Sequence, residues 1–297
     1  MAQPTSTSPA SSTSALLAVG TRLGGVRIER LLTSGAMGAL YLAFDEADGA
    51  PLAVKAVVLG QPGDPALAGA QGRFQHETLS AIRLRHPGIV LTHGAVLQGG
   101  MGFVAMELLT GTNLSRYTRP SRLLPEPLAL SIAARVAEAL AFAHRAGVVH
   151  RDVKPANVMF DPATDSVKLT DFGLARAVDA EATRSGVLLG SPAYMAPEML
   201  AGARADAAGD LYSLGVLLFE LLTGRLPFEA DTMGALLRAM ATQAPQTVRM
   251  LRPELPAAQT AALDAVLALV LARSPAERQR DGDTWASALR AVQQSVF

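Results

Sequence analysis

Hydrophobic periodicity changes once along this chain, near Gly111, and that change limits the folds open to it. Before it, Val26 to Leu32, Ala39 to Phe44, Leu52 to Val58, Gly94 to Leu97 and Gly102 to Met106 are short apolar or alternating runs separated by Gly, Asp or Pro signals. That is the pattern of an antiparallel sheet. One helical stretch, from about Ala70 to Leu84, interrupts it. Beyond Gly111, Ile132, Val136 and Leu140 recur at intervals of four in a helix expected to end near Gly147, since glycine suits the left-handed cap. Further helices are expected over about Ala207 to Leu222, Thr232 to Ala241, Ala257 to Ala272 and Asp283 to Gln294. The fold class is therefore α+β, with a small strand-rich lobe followed by a larger, mostly helical one.

Met1 to about Ser14 is Ser, Thr, Pro, Ala and Gln with almost no bulky apolar side chains, too little to offset the entropy of ordering. A disordered tail is expected, extending to residue 22. Ala15 to Val19 is too short for the apolar core of a secretory signal. The apolar runs Leu211 to Leu222 and Ala261 to Ala272 are broken by Glu220 and Asp264, and neither approaches the roughly 20 residues of a membrane span. No anchor is expected after Phe297, and a cytoplasmic location is expected. Acidic and basic residues balance at 26 each, so no chain-wide positive field exists to hold nucleic acid or an anionic membrane face. Any phosphate site must be local. The absence of cysteine removes disulfides, thiolate metal sites and a cysteine nucleophile.

Three short motifs carry chemistry. His150-Arg151-Asp152-Val153-Lys154-Pro155-Ala156-Asn157, followed by Asp171-Phe172-Gly173, gathers an acid, two cations, a neutral amide and a second carboxylate. Asn157 and Asp171 offer hard oxygens of the kind Mg2+ prefers. Thr33-Ser34-Gly35-Ala36-Met37-Gly38-Ala39-Leu40 lies between two expected strands, where residues without a Cβ let backbone fold over phosphates. Alone, two such glycines would be an ordinary hairpin turn. Lys55 interrupts an apolar strand, where a charge needs a partner or a ligand.

These motifs, with Arg83-Leu84-Arg85-His86-Pro87, Gly190-Ser191-Pro192-Ala193-Tyr194-Met195-Ala196-Pro197-Glu198 and Asp210-Leu211-Tyr212-Ser213-Leu214-Gly215, make the chain resemble Hanks-type serine/threonine protein kinases, bacterial ones in particular, from about Val26 to Arg290. The resemblance implies a bilobal kinase fold over residues 23–297, with a small lobe over about 26–106, a hinge at about 107–111 and a large lobe over about 112–295. It also implies ATP as phosphoryl donor, Mg2+ with Mn2+ as an alternative, and protein substrates.

Residue by residue, the resemblance makes Asp152 the group that accepts or orients the substrate hydroxyl proton, with Lys154 placing positive charge near the transferring phosphate. It makes Asn157 and Asp171 the metal ligands, and it pairs Lys55 with Glu77 of the Arg73-Phe74-Gln75-His76-Glu77 segment. The nucleotide would be bounded by Leu32, Thr33, Ser34, Gly35, Ala36, Met37, Gly38, Leu40, Ala53, Lys55 and Met106, and held by the backbone of Glu107 and Leu109, with little demand on side-chain identity there. Thr33 departs from the pattern by standing where the first glycine of the loop is expected. Arg151 would answer a phosphate on Thr183 or Ser185, Ser191 would face the substrate beside Asp152 and Lys154, Asp210 would hold the catalytic loop from below, and Glu198 would pair with Arg278. Two further classes remain open, a partner-binding pseudokinase and a small-molecule kinase of related fold. The presence of Lys55, Glu77, Asp152, Asn157 and Asp171 opposes the first, and the complete segment from Asp171 to Glu198 opposes the second. No nucleic-acid partner and no membrane span are expected, and homodimerisation stays open.

Overall fold

The computed structural model describes residues 17–35, 38–172 and 192–296. The expected tail before Leu17, together with Ala36, Met37, Gly173, Thr183, Ser185 and Ser191, lies outside the described residues.

The first third forms a six-stranded antiparallel sheet in the order β1-β2-β3-β4-β6-β5, from strands β1 (Arg22–Leu23), β2 (Val26–Gly35), β3 (Gly38–Asp45), β4 (Pro51–Val58), β5 (Thr92–Gln98) and β6 (Met101–Glu107). Both faces of β4 are covered, which is why it reads as a nearly continuous apolar run. Leu52, Val54 and Ala56 join Ile28, Tyr41, Ala43 and Phe103 in one cluster. Ala53 and Val57 join Val104, Met106 and Phe74 in another. The two-residue period of a strand then puts Lys55 on the face shared with Ala53 and Val57. Helix α1 (Leu67–Ile82) covers that face with Ala70, Phe74, Glu77, Thr78 and Ala81 buried, the stripe a 3.6-residue period produces. Glu77 thus falls on the buried stripe of its helix.

Residues 17–22, expected to belong to the tail, are part of this lobe instead. Leu17 packs against the first cluster and its N–H donates to the Tyr41 hydroxyl at 3.0 Å, while the Gly20 N–H donates to the Ile28 carbonyl at 2.8 Å. The apolar Leu17 supplies what the Ser/Thr-rich stretch before it lacks.

The large lobe contains α2 (Glu126–Arg145), α3 (Pro197–Leu200), α4 (Ala207–Thr223), α5 (Met233–Thr242), α6 (Val248–Leu251), α7 (Ala257–Leu271) and α8 (Gly282–Val296). Helix α4 is buried along almost its whole length, which explains its lack of a polar face. The Asp206 side chain caps its start by accepting from the Gly209 N–H, and Gly224 ends it at φ 72°. Helix α2 alone among the described helices is long and apolar enough to cross a membrane. Its Leu130, Ile132, Val136 and Leu140 are wholly buried in the large-lobe core. Trp285 is buried in α8, as expected for the sole tryptophan, and its indole N–H donates to the Val266 carbonyl at 3.0 Å.

The large lobe also carries a second sheet in the order β7-β8-β9, from β7 (Thr112–Asn113), β8 (Val158–Asp161) and β9 (Ser166–Leu169), whose Val158, Phe160, Val167 and Leu169 join its core. Gly111 leads into it at φ 85°, and a Cβ there would stand 2.4 Å from the Phe160 carbonyl oxygen, so only glycine fits where the interlobe connection passes β8.

Candidate active site

The loop from His150 to Asn157 is held from beneath. The Asp210 carboxylate, 1% exposed in the first turn of α4, accepts the His150 N–H on one oxygen and the Arg151 N–H on the other, each at 2.7 Å. It also takes the His144 Nε2–H of α2 at 2.8 Å. These bonds offset the strain of Arg151, a non-glycine residue at φ 72°. The His150 ring donates from Nε2 to the Thr170 carbonyl at 2.7 Å and accepts the Asp152 N–H on Nδ1 at 3.2 Å, which fixes the neutral tautomer. It also stands edge-on to Phe172, with ring centroids 4.5 Å apart.

Two side chains converge on Asp152. Lys154 Nζ lies 2.7 Å from Asp152 Oδ2, and the Asn157 amide nitrogen donates to the same oxygen at 2.9 Å and to the Asp152 carbonyl at 2.8 Å. Asp152 Oδ1 is engaged by neither. Because the Asn157 side chain donates through its nitrogen, its carbonyl oxygen is turned away from these bonds. Lys154 and Asn157 are both buried, so this polarity persists in a partly dry setting. The Asn157 backbone carbonyl meanwhile accepts the Thr170 N–H at 2.9 Å and the Thr170 hydroxyl at 3.2 Å. Thus the end of the 150–157 loop is tied to the residue before Asp171.

Two acids and two cations meet at the junction of α1, β4 and this loop, in a pairing that corrects the expectation from sequence. Lys55 Nζ lies 2.7 Å from Asp171 Oδ2, and the Arg151 guanidinium donates to Glu77 at 2.9 Å. The expected Lys55–Glu77 pair is not the one formed. Period 3.6 places Glu77 on the buried stripe of α1, but which cation it meets depends on how α1 sits against both lobes. Arg151, expected to answer a loop phosphate, is thereby engaged with Glu77. Asp171 holds φ 66°, a left-handed turn that an aspartate tolerates better than most side chains. Glu46, the acid in the turn before β4, pairs with Arg22 at 2.7 Å instead of with Lys55.

At the interlobe connection, Met106 is buried with Val104, Val90 and Ala53. Leu109 and Leu40 pack against the same cluster, so these expected nucleotide-lining residues share one apolar wall. The Glu107 side chain was expected to matter little, yet its Oε1 accepts the Leu91 N–H and the Lys168 ammonium, both at 2.6 Å. In the β2–β3 hairpin, Leu32 is half-buried and Thr33, Ser34 and Gly35 are exposed. Thr33 is paired with Leu40, Ser34 with Ala39 and Gly35 with Gly38, so threonine at this position is accommodated as a strand residue. Gly38, at φ 124°, could carry no Cβ because one would stand 1.9 Å from the Ala56 carbonyl of β4. Its need for glycine comes from the neighbouring strand.

Arg278 and Glu198 form the expected pair, two-pronged at 2.5 and 2.8 Å with the arginine side chain wholly buried. Arg278 also donates to the Ala272 and Arg273 carbonyls and lies over the Tyr212 ring at 4.7 Å. Sequence reasoning missed Lys168, His144 and a contact between the Tyr194 hydroxyl and Glu220, at 2.5 Å. Burial pushes the Glu220 carboxyl above its ordinary range, against the opposing Tyr194 hydrogen bond, and burial likewise raises the Tyr194 hydroxyl. The only available signal for Glu220 was a charge interrupting an apolar run.

Among the described residues no three His, Asp or Glu side chains cluster as a metal cage. The oxygens of Asn157 and Asp171 fit instead a hard cation that keeps phosphate and water in its shell.

Residues 26–289 match the family described as Protein kinase domain. The chain is 37% identical over 281 residues to the serine/threonine-protein kinase PknA of Mycobacterium tuberculosis (strain ATCC 25177 / H37Ra), covering 92% of this chain and 63% of that protein. It is 39% identical over 285 residues to the serine/threonine-protein kinase PknJ of Mycobacterium bovis, covering 93% of this chain and 46% of that one. To the serine/threonine-protein kinase pkn3 of Myxococcus xanthus it is 34% identical over 282 residues, covering 90% and 49%. The chain therefore spans about half to three-fifths of the length of these curated relatives. The crystal structure of the Mycobacterium tuberculosis PknI kinase domain superposes with a TM-score of 0.74 at 30% identity, covering 93% of this chain and 99% of that one. Rad53 1–466 in complex with AMP-PNP superposes at 0.71 with 23% identity over 90% of this chain and 64% of that one, a likeness of fold alone.

Proposed function

Because the chain belongs to the protein kinase family, we propose that it is a serine/threonine protein kinase that transfers the γ-phosphoryl group of ATP to protein hydroxyls. The observation that carries this reading is the convergence of Lys154 and Asn157 on one oxygen of Asp152, which leaves the other oxygen for a substrate hydroxyl. As that hydroxyl oxygen bonds to the γ-phosphorus, the bond to the β-phosphate oxygen breaks, ADP leaves and the proton passes to Asp152. Lys154 presents positive charge to the transferring group. Phosphoryl transfer is largely a matter of such positioning and charge neutralisation.

The family uses ATP and in general a divalent metal; here Mg2+ would be held by Asn157 and Asp171 and would neutralise phosphate charge. Leu32, Leu40, Ala53 and Met106 would bound the adenine, and the backbone of Glu107 and Leu109 would hydrogen-bond it. In the working arrangement Lys55 would leave Asp171 for the nucleotide phosphates and Glu77, and Arg151 would leave Glu77 for a phosphate on Thr183 or Ser185, placed there by the kinase itself. The exchange conserves charge pairing, which supports a low cost for it. Protein substrates are proposed from the same family resemblance.

The test is radiolabel transfer from ATP with Mg2+ to a generic basic protein, comparing the native chain with Asp152→Asn. Loss of a positioned proton acceptor costs about two to four powers of ten in rate. Equal labelling by the two proteins would overturn the assignment.

A further inference from the structure

Glu107 closes β6 in the small lobe, and Lys168 lies in β9, 61 residues away in sequence. Their side chains meet at 2.6 Å. The same Glu107 oxygen accepts the Leu91 N–H at 2.6 Å, and the Glu107 N–H donates back to the Leu91 carbonyl at 2.9 Å. Leu91 ends a segment that is itself bonded to β9: the Leu169 N–H donates to the Gly88 carbonyl at 2.8 Å, and the Val90 N–H donates to the Leu169 carbonyl at 3.0 Å. The chain at 88–91 is thus fastened on one side to β9 and on the other to the interlobe connection, and Glu107–Lys168 closes the ring directly.

Both side chains are mostly buried, at 27% and 20% exposure, so water competes weakly for the pair. Val167 and Leu169 are buried on β9 while Lys168 is not, so the strand alternation that anchors β9 in the core also turns Lys168 to the opposite face. Lys168 precedes Asp171 by three residues, and Thr170, between them, is held by Asn157 and His150. A displacement of β9 relative to Glu107 would therefore move Asp171 relative to the adenine-binding backbone.

We propose that Glu107 and Lys168 are a positioning pair that couples nucleotide binding at the interlobe connection to metal binding at Asp171. The proposal rests on the phosphotransfer reading above and deepens it. Neither side chain touches the reacting atoms; the pair acts by holding two strands in register. Its signature is a thermodynamic coupling, since sites linked through one rigid element bias each other's affinity equally.

The experiment measures the dissociation constant of a fluorescent ATP analogue with Mg2+ and with EDTA, in the native chain, Lys168→Met, Glu107→Gln, the double variant and Lys168→Arg. Glu107→Gln keeps an oxygen for the Leu91 N–H and removes only the charge. The expected result is that Mg2+ tightens nucleotide binding by at least about 5-fold less in either single variant than in the native chain, at the low end of ordinary couplings. The EDTA affinity of Lys168→Met should change little, the double variant should be no worse than either single one, and Lys168→Arg should retain the coupling. A folded Lys168→Met or Glu107→Gln protein with the native Mg2+ dependence would overturn the proposal, as would additive losses in the double variant. A native chain that binds no nucleotide in the presence of Mg2+ would overturn the phosphotransfer reading itself, a different outcome.

Discussion

Replacing Glu198 with alanine tests how the large lobe is held together, because it abandons a cation that water cannot reach. The Arg278 side chain is 0% exposed, and Glu198 occupies two of its N–H groups at 2.5 and 2.8 Å. Removing one partner of a buried pair typically costs about 3–5 kcal/mol. The Ala272 and Arg273 carbonyls and the Tyr212 ring still contact the guanidinium in the variant, and Glu198 is itself 20% exposed in the native protein. We therefore expect the low end, about 3 kcal/mol, since these contacts and partial hydration soften the loss. At about 2–4 °C per kcal/mol for domains approaching this size, the melting temperature should fall by about 6–12 °C. Trp285, buried and the only tryptophan, reports the transition through its fluorescence without labelling. A companion double variant, Glu198→Leu with Arg278→Met, replaces the pair by apolar volume and should recover much of the loss, because it leaves no unpaired buried charge. A shift under about 2 °C in Glu198→Ala, where about 6 °C is the least expected, would refute the reasoning. So would a double variant as unstable as the sum of its single changes.

Gly38→Ala and Gly35→Ala should separate two kinds of loop glycine: the first meets the Ala56 carbonyl at 1.9 Å and a strained φ, whereas nothing lies within 4 Å of a Cβ at Gly35. Urea unfolding should place Gly38→Ala more than about 1 kcal/mol below native and Gly35→Ala within about 0.5 kcal/mol of it; equal effects would contradict the assignment. At Glu220, burial holds the folded carboxyl above its unfolded value, so its stabilising contribution is full below the unfolded pKa of about 4.3 and is lost as pH rises through the folded one. Glu220→Gln keeps an oxygen for the Tyr194 hydroxyl and cannot ionise, so its melting temperature should gain on the native protein's as pH rises from about 4 to about 7. A constant difference across that range would sink the claim.

Several elements were legible before any coordinates. The five principal strands and the long helices α1, α2, α4, α5, α7 and α8 fall where alternation and four-residue spacing put them, because each buries one or both faces over many residues. The strands β1, β7, β8 and β9 and the helices α3 and α6, of four residues or fewer, were not legible. Two to four residues carry too little periodicity, and β7, β8 and β9 find their pairing partners in one another, with β7 brought to β8 from a distant part of the sequence. Residues 17–22 were misread for a related reason, since Leu17 has no repeat around it and is fixed by Tyr41, distant in sequence.

The sequence by itself determined the fold class, the set of groups at the site and the family to which they belong. Those properties follow from residue type, local period and motif order, all of which are written along the chain. It also put Lys55 on the face of β4 shared with α1, and Glu77 on the buried stripe of that helix, because strand and helix periods are local. Only the tertiary structure decided that Lys55 meets Asp171, that Glu77 meets Arg151 and that Glu107 reaches across to Lys168. Each of these bonds joins segments whose separation is set by how α1, β6 and β9 are seated on one another. A charge a few ångströms from two candidate partners chooses by geometry, and packing supplies that geometry.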